Sequence, residues 1–256
     1  MNLDNKSLDG ALTTGFKDLD NTLGGIRKGE LVIIGGRPSI GKTSLAISIA
    51  KHVAQNEKVP TVFFSFEMSR EQILSNYLGM NSDVDNLIID DRYDYTIFEF
   101  ISECKHLKKE KDIGLVVIDY LQLFPNTIAS KNRDKELAET VNELKTLVNE
   151  LNLSIVITSQ IYRGYIYYPN QLPLSRYLRG YEGFEQSVDK VIIIYRNDYY
   201  RYELGYTSNL EKSCIGEILV LKNQNGETGA VKLWWDESTG WSDHDGNPGC
   251  ATPAED

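Results

Sequence analysis

The sequence predicts an α/β fold: a doubly wound, mostly parallel sheet with an antiparallel hairpin near its C-terminus. Two observations carry that expectation. Apolar runs rich in β-branched residues, at 31–34, 59–66, 115–119, 154–160 and 189–195, alternate with helix-length amphipathic stretches. Strands buried on both faces alternate in this way with the helices that cover them. Two later runs, at 216–222 and 229–235, flank Asn225-Gly226, a dipeptide suited to a tight hairpin turn.

Taken in order, the elements rest on local signals. Residues 1–12 are polar and are expected to be a loose lead-in. A short helix is expected over 18–23, stopped by Gly24-Gly25, because glycine ends helices in the left-handed conformation. The strand at 31–34 runs into Gly36-Arg37-Pro38-Ser39-Ile40-Gly41-Lys42-Thr43-Ser44, and residues 44–54 place apolar side chains on one helical face. The strand at 59–66 ends at Glu67, and Ser69 is suited to cap a helix running toward Tyr77. Residues 81–95 are acidic and irregular, and 97–109 form an amphipathic helix. The strand at 115–119 ends in Asp119, and a polar loop spans 124–134. A long helix over 135–151 carries Leu137, Val141, Leu144, Leu147, Val148 and Leu151 on one face. The strand at 154–160 ends in Gln160. From residue 242 the chain is rich in glycine, proline and acids and is expected to be a disordered tail. The main domain is therefore expected over 13–241.

Composition narrows the class. Of 256 residues, 41% are hydrophobic and 25% charged, ordinary values for a globular protein. No apolar run approaches the roughly 20 residues that span a membrane. The first residues lack the basic start and apolar stretch of a signal peptide. Three widely spaced cysteines suggest neither a disulfide framework nor a zinc site, so a reducing cytoplasm is the expected location. The net charge of −10 and pI near 4.9 exclude a protein that coats nucleic acid through a basic surface. They leave room for one that holds single strands in a narrow, locally basic channel.

The chemistry concentrates at the expected strand ends. The pattern G-x-x-x-x-G-K-T between a strand and a helix is the context of a phosphate-binding P-loop. Its glycines let backbone N–H groups crowd around phosphate oxygens, and the helix N-terminus adds partial positive charge. Lys42 is expected to reach the β- and γ-phosphates of ATP, and Thr43 to hold Mg²⁺. Ligands of doubly wound sheets sit at the carboxyl ends of the strands, where Glu67, Asp119 and Gln160 also fall. Phosphoryl-transfer chemistry then suggests roles. Asp119 would bind Mg²⁺ through water, Glu67 would polarise the attacking water, and Gln160 would hydrogen-bond the γ-phosphate.

This order of motifs resembles the C-terminal motor domain of the DnaB family of hexameric replicative helicases, within the RecA-like P-loop NTPases. The matching segments are Thr14-Gly-Phe-Lys-Asp-Leu-Asp20, the P-loop, Phe64-Ser-Phe-Glu-Met-Ser69 and Val117-Ile-Asp-Tyr-Leu-Gln-Leu123. Ser159-Gln160, Leu178-Arg179, Glu185-Gln186, Ile194-Tyr-Arg196, Lys222 and Gly229-Ala-Val-Lys-Leu233 complete the match, over roughly residues 13–241. The resemblance implies a ring of subunits, with ATP between neighbours and single-stranded DNA through the pore. It also implies 5′-3′ polarity and a primase or loader as partner, and makes Glu67 the catalytic glutamate. Arg196 is implied to stack on the nucleotide base. Trp235 either does the same or packs in the core beside Trp234. Lys222 is implied to reach the nucleotide of the adjacent subunit. The family's DNA loops fall near 124–134 and 162–183, whose Lys131, Arg133, Arg163 and Arg179 are the expected phosphate contacts.

Two departures stand out. Family members usually have an N-terminal domain and a linker helix, and only about a dozen residues precede the first motif here. The chain is therefore either a stand-alone motor or a fragment. Second, the family places an arginine finger two residues after the lysine at 222, and this chain has Gln224. Eleven of the fifteen tyrosines lie between Tyr162 and Tyr206, interleaved with Arg163, Arg176 and Arg179. That is either a stacking platform for single strands or an ordinary use of tyrosine in half-exposed segments. Three functional readings follow. The leading one is an ATP-driven motor on single-stranded DNA in replication. The next is an ATP-binding regulatory or assembly protein with weak hydrolysis. The third, a recombination or clock-type relative, would not carry the S-F-E-M-S signature.

Overall fold

The structure, a computed structural model, describes residues 8–79, 84–123, 132–161, 172–197, 199 and 215–243. It begins with β1 (Ala11–Leu12), α1 (Lys17–Leu23), β2 (Ile26–Arg27), β3 (Leu31–Gly36) and α2 (Lys42–Gln55). There follow β4 (Thr61–Ser65), α3 (Arg70–Ile73), a π-helical turn (Leu74–Leu78), β5 (Leu87–Asp90), α4 (Ile97–Lys111) and β6 (Leu115–Asp119). The rest comprises α5 (Arg133–Leu151), β7 (Ser154–Gln160), α6 (Tyr181–Phe184), β8 (Lys190–Tyr195), β9 (Ile215–Asn223), β10 (Gly229–Asp236) and β11 (Gly240–Asp243).

Among the described residues, nine strands form one sheet in the order β11-β10-β9-β8-β3-β7-β6-β4-β5. The six from β8 to β5 are parallel, and β9, β10 and β11 join antiparallel. The strands at the middle are fully buried because each face meets a helical layer. Val32, Ile34 and Val156 pack with Leu45, Ile49 and Val53 of α2 on one side. Ile33, Val116 and Ile157 pack with Phe100 of α4 and Val141 and Leu144 of α5 on the other. The doubly wound, mostly parallel α/β fold is therefore present.

Local signals place the helix ends. Gly24, left-handed at φ 73°, ends α1. Ser69 and Thr96 each cap a helix reciprocally with the residue three places on, Gln72 and Glu99. Asn132 caps α5, which starts two residues before the expected 135.

Three expectations need correction. Residues 87–90, inside the stretch expected to be irregular, form β5 and pair with β4 at the sheet edge. Ala11 and Leu12 of the lead-in are buried and pair with Ile26 and Arg27. Ser242 and Asp243, placed in the expected tail, belong to β11 and pair with Trp234 and Leu233. Residues 244–256 lie outside the described residues.

The amino ends of the parallel strands are closed by a network of buried charge. Lys190 is fully buried and donates to Glu30 at 2.5 Å and to the Gly25 carbonyl at 2.7 Å. Glu30 also accepts from the Arg27 amide and the Asn225 side chain. Beside it, Asp189 accepts from Lys145 and from the Leu31 amide, both at 2.7 Å. Asn223 ties the β9–β10 turn to the Thr22 and Leu23 carbonyls of α1.

Candidate nucleotide site

The carboxyl end of β3 opens into the P-loop. Ser39, at φ 57°, and Gly41, at φ 105°, are both left-handed, so successive peptide groups curl into a concave nest. At Gly41 a Cβ would lie 2.8 Å from Trp235 and 2.9 Å from Trp241, so only glycine fits. Ile40 is fully buried beneath the loop and supports it rather than lining the cleft. Lys42 folds back to the Arg37 carbonyl at 2.7 Å. The Thr43 hydroxyl donates to Asp119 at 2.8 Å, and Asp119 also accepts from Thr158 at 2.5 Å. A threonine hydroxyl and a carboxylate thus meet across two adjacent elements.

Glu67 follows β4 at a tight turn. Ser65 holds that turn by donating to the Met68 carbonyl and accepting from its amide. Phe66 donates its amide to the Asp119 carbonyl at 2.8 Å, which sets Glu67 beside the β6 end. Gln160, paired across from Gly36, is held by Gln122, which accepts from the Gln160 amide at 3.1 Å and donates to Ser159 at 2.8 Å. Tyr120 hydrogen-bonds the Gln160 side chain.

These groups surround one cleft of about 820 Å³. Burial holds the Lys42 ammonium down at about 8, against the pull of Asp119 and Glu67. Burial, then the neighbouring Asp119 charge, pushes the Glu67 carboxyl above its ordinary range, with Lys42 opposing. Burial also raises Asp119, against the Thr158 and Thr43 hydroxyls and Lys42. A raised carboxylate beside a lowered ammonium is a perturbed pair of the kind that clusters at functional sites.

Part of the wall was not anticipated. The turn from Glu237 to Gly240 borders the cleft, and Gly240 sits so close to Ser44 that a Cβ would meet its hydroxyl at 2.6 Å. Tyr77, on the π-helical turn, borders the other side, and burial with the charges of Asp119 and Glu67 keeps its phenol protonated. Trp235 lines the cleft. Arg196 does not: it is 9% exposed, with its guanidinium 5.1 Å from the Trp235 ring. Of the two residues that the resemblance implies at the base, Trp235 borders this cleft and Arg196 stands behind its ring.

Comparison with known proteins follows the same line. The DnaB-like helicase C terminal domain family matches over residues 11–86 and 83–241. The chain belongs to that family. It is 34% identical over 254 residues to a protein of Trieres chinensis described as a probable replicative DNA helicase, covering 88% of this chain and 55% of that protein. Among solved structures it is similar to one described as an ATPase domain, with a TM-score of 0.78 at 24% identity, covering 91% of this chain and 92% of that one. It also resembles a DnaB-like replicative helicase, solved to show its interactions with primase, with a TM-score of 0.80 at 23% identity, covering 91% of this chain and 63% of that one. The chain spans about 55% of the length of the curated relatives it matches.

In this DnaB-like domain the other expected residues divide. Lys131 and Arg163 lie outside the described residues. Arg133 and Arg179 come to the same end of α5, and both engage its carboxylates. Arg133 donates to Glu136 and to the Gln122 carbonyl, each at 2.9 Å. Arg179 donates to Asp134 at 3.3 Å. Lys222 is not in the cleft of its own chain; its ammonium donates to the Glu185 carbonyl. The neighbouring Gln224 is exposed, and its backbone N–H donates to the Asp189 carbonyl at 3.1 Å.

Proposed function

We propose that this domain binds ATP with Mg²⁺, hydrolyses it, and uses the cycle to move along single-stranded DNA within a ring of like subunits. The site of action would be the replication machinery of the cytoplasm, with a primase or a loader as further partner. The observation that carries the reading is the convergence of Lys42, Thr43–Asp119, Glu67 and Gln160 on one cleft. Lys42 would leave the Arg37 carbonyl for the β- and γ-phosphates. Glu67 would take the proton of the attacking water, a role that a carboxylate raised above its ordinary range serves well. Gln160 would donate to the γ-phosphate and pass its loss to Tyr120 and Gln122.

The donor set suits Mg²⁺, which binds through one or two protein oxygens and keeps its waters and substrate phosphates. Thr43 and Asp119 offer those oxygens, and no cluster of three His, Cys, Asp or Glu exists among the described residues to hold a metal by itself. When bound, Mg²⁺ offsets the charge of the phosphate oxygens. Among the described residues no helix is long and apolar enough to cross a membrane.

A second reading, a weakly hydrolysing regulatory or assembly ATPase, is favoured by one residue. Gln224 stands on the exposed turn where the family resemblance implies an arginine finger, and glutamine brings no charge to the phosphoryl oxygens. Steady-state ATPase measured with and without single-stranded DNA separates the two. A motor is expected to be stimulated several-fold by DNA, whereas a switch turns over at the same slow rate in both conditions.

A further inference from the structure

The P-loop is held from outside as well as from within. Tyr199 donates its hydroxyl to the Pro38 carbonyl at 2.7 Å. Trp241 donates its indole N–H to the Gly41 carbonyl at 2.9 Å. The Trp241 ring seats over Gly216, where a Cβ would come within 2.4 Å of it, and is 5% exposed. Neither residue belongs to the motif, and both come from the antiparallel side of the domain.

Peptide planarity turns these bonds into a statement about phosphate binding. Across a trans peptide, the C=O of one residue and the N–H of the next point in opposite directions. Tethering the Pro38 carbonyl to Tyr199 therefore aims the Ser39 N–H away from it. The Gly41 carbonyl accepts from the Leu45 amide of α2 at 3.0 Å as well as from Trp241, and the indole reinforces that direction, which aims the Lys42 N–H away from it. Ser39 and Gly41 are the two left-handed residues of the nest, so the tethered peptides flank the bends that make it concave. The Arg37 carbonyl is turned out by Lys42 itself, a bond that ends when Lys42 engages phosphate. The two aromatic tethers need not break.

We propose that Tyr199 and Trp241 are positioning residues that preset the phosphate cradle, so that the loop does not reorganise its peptides to receive ATP. The inference rests on the ATP-binding reading above and adds the residues that set affinity for the polyphosphate. Preorganisation of this kind raises affinity by removing ordering cost rather than by adding ligand contacts.

Titration of the full chain with tripolyphosphate, ATP and adenosine tests it, using the parent, Tyr199→Phe, Trp241→Phe, the double variant and Lys42→Ala. Both aromatic substitutions keep a ring and remove the donor. Each is expected to weaken tripolyphosphate and ATP about two- to tenfold, the range of one neutral hydrogen bond. The double variant should multiply the two losses, while adenosine affinity and the thermal midpoint stay near the parent's. Unchanged tripolyphosphate affinity in both single variants overturns the proposal. So does an equal loss for tripolyphosphate and adenosine, which marks a general packing role. If Lys42→Ala binds tripolyphosphate as the parent does, the ATP-binding reading falls with it. If Lys42→Ala abolishes binding and the aromatic variants do not alter it, only the present inference falls.

Discussion

Around the carboxyl ends of the parallel strands lie Lys42, Glu67 and Asp119, in an open cleft; around their amino ends lie Glu30, Asp189 and Lys190, joined by Lys145 of α5, in a closed network. The residue types are the same and both sets include buried members. What differs is pairing. Lys190 is matched by Glu30 at 2.5 Å and Lys145 by Asp189 at 2.7 Å. Lys42 donates to a backbone carbonyl, and the Asp119 charge adds to burial in disfavouring the ionised form of Glu67. Charge that is buried and matched is costly to break one partner at a time, whereas charge that is crowded and only partly matched is poised for a ligand.

Substitutions at the two ends should therefore separate function from stability. The largest effect is expected at Glu67→Gln, which should reduce ATP turnover about 10³-fold while ATP affinity and the unfolding midpoint stay close to the parent's. Normal turnover in that variant would remove Glu67 from the mechanism. Lys190→Met should do the reverse, costing about 3–5 kcal/mol in denaturant unfolding because Glu30 is left buried without its partner. Replacing both Glu30 and Lys190 by apolar residues should cost much less, and a double variant as unstable as the single would break the pairing argument.

The pH response sharpens the same contrast. The ammonium is the phosphate-binding form of Lys42, and in the free protein it loses its proton as pH rises through about 8. ATP affinity should accordingly fall as pH climbs from 8 to 9, by up to about tenfold, the limit for one proton. Lys42→Arg should flatten that limb, since guanidinium keeps its charge. The smallest effect is expected from Gln224→Arg. It should speed turnover about fivefold, well short of the ~10³–10⁵ of a native finger, because the turn is clamped by Asn223 and Asn225 and was not shaped for the larger group. The gain should appear only at protein concentrations where light scattering shows assembly; an equal gain in dilute monomer would mean that the introduced guanidinium acts on its own chain.

The parallel half of the fold was legible because runs such as 31–34 and 115–118 are apolar on both faces, short, rich in β-branched residues and bounded by turn signals, which together favour a buried strand over a buried helix. β5 was missed because its apolar run, Leu87-Ile88-Ile89, is only three residues long and is flanked by acids, too short to stand out as a strand. β11 was missed because Gly-Trp-Ser-Asp has the composition of a tail; its pairing with β10 is a tertiary fact. In the site, the P-loop, Glu67, Asp119 and Gln160 announce themselves by motif and by their place after apolar runs. Tyr199 and Trp241 act through hydrogen bonds to carbonyls far away in sequence, and nothing local marks such a partner. The carboxylates that engage Arg133 and Arg179 were equally hidden, because the sequence does not reveal that α5 brings Glu136 and Asp134 to them.

The hydrogen bond between Trp241 and Gly41 also has a clock in it. Its two ends lie 200 residues apart. At the ~5–20 residues per second of protein synthesis, about 10–40 s pass between the making of the P-loop and the making of the strand that braces it. During that interval a nascent chain has its P-loop helix without the indole behind the loop or the Glu237–Gly240 wall beside it. A ligand stabilises whatever form binds it best, so under the proposed ATP binding, tight retention of ATP would mark a chain in which the strand carrying Trp241 has been added. A truncation before Trp241 would leave every residue of the phosphate motif in place and still remove the indole that braces the Gly41 carbonyl.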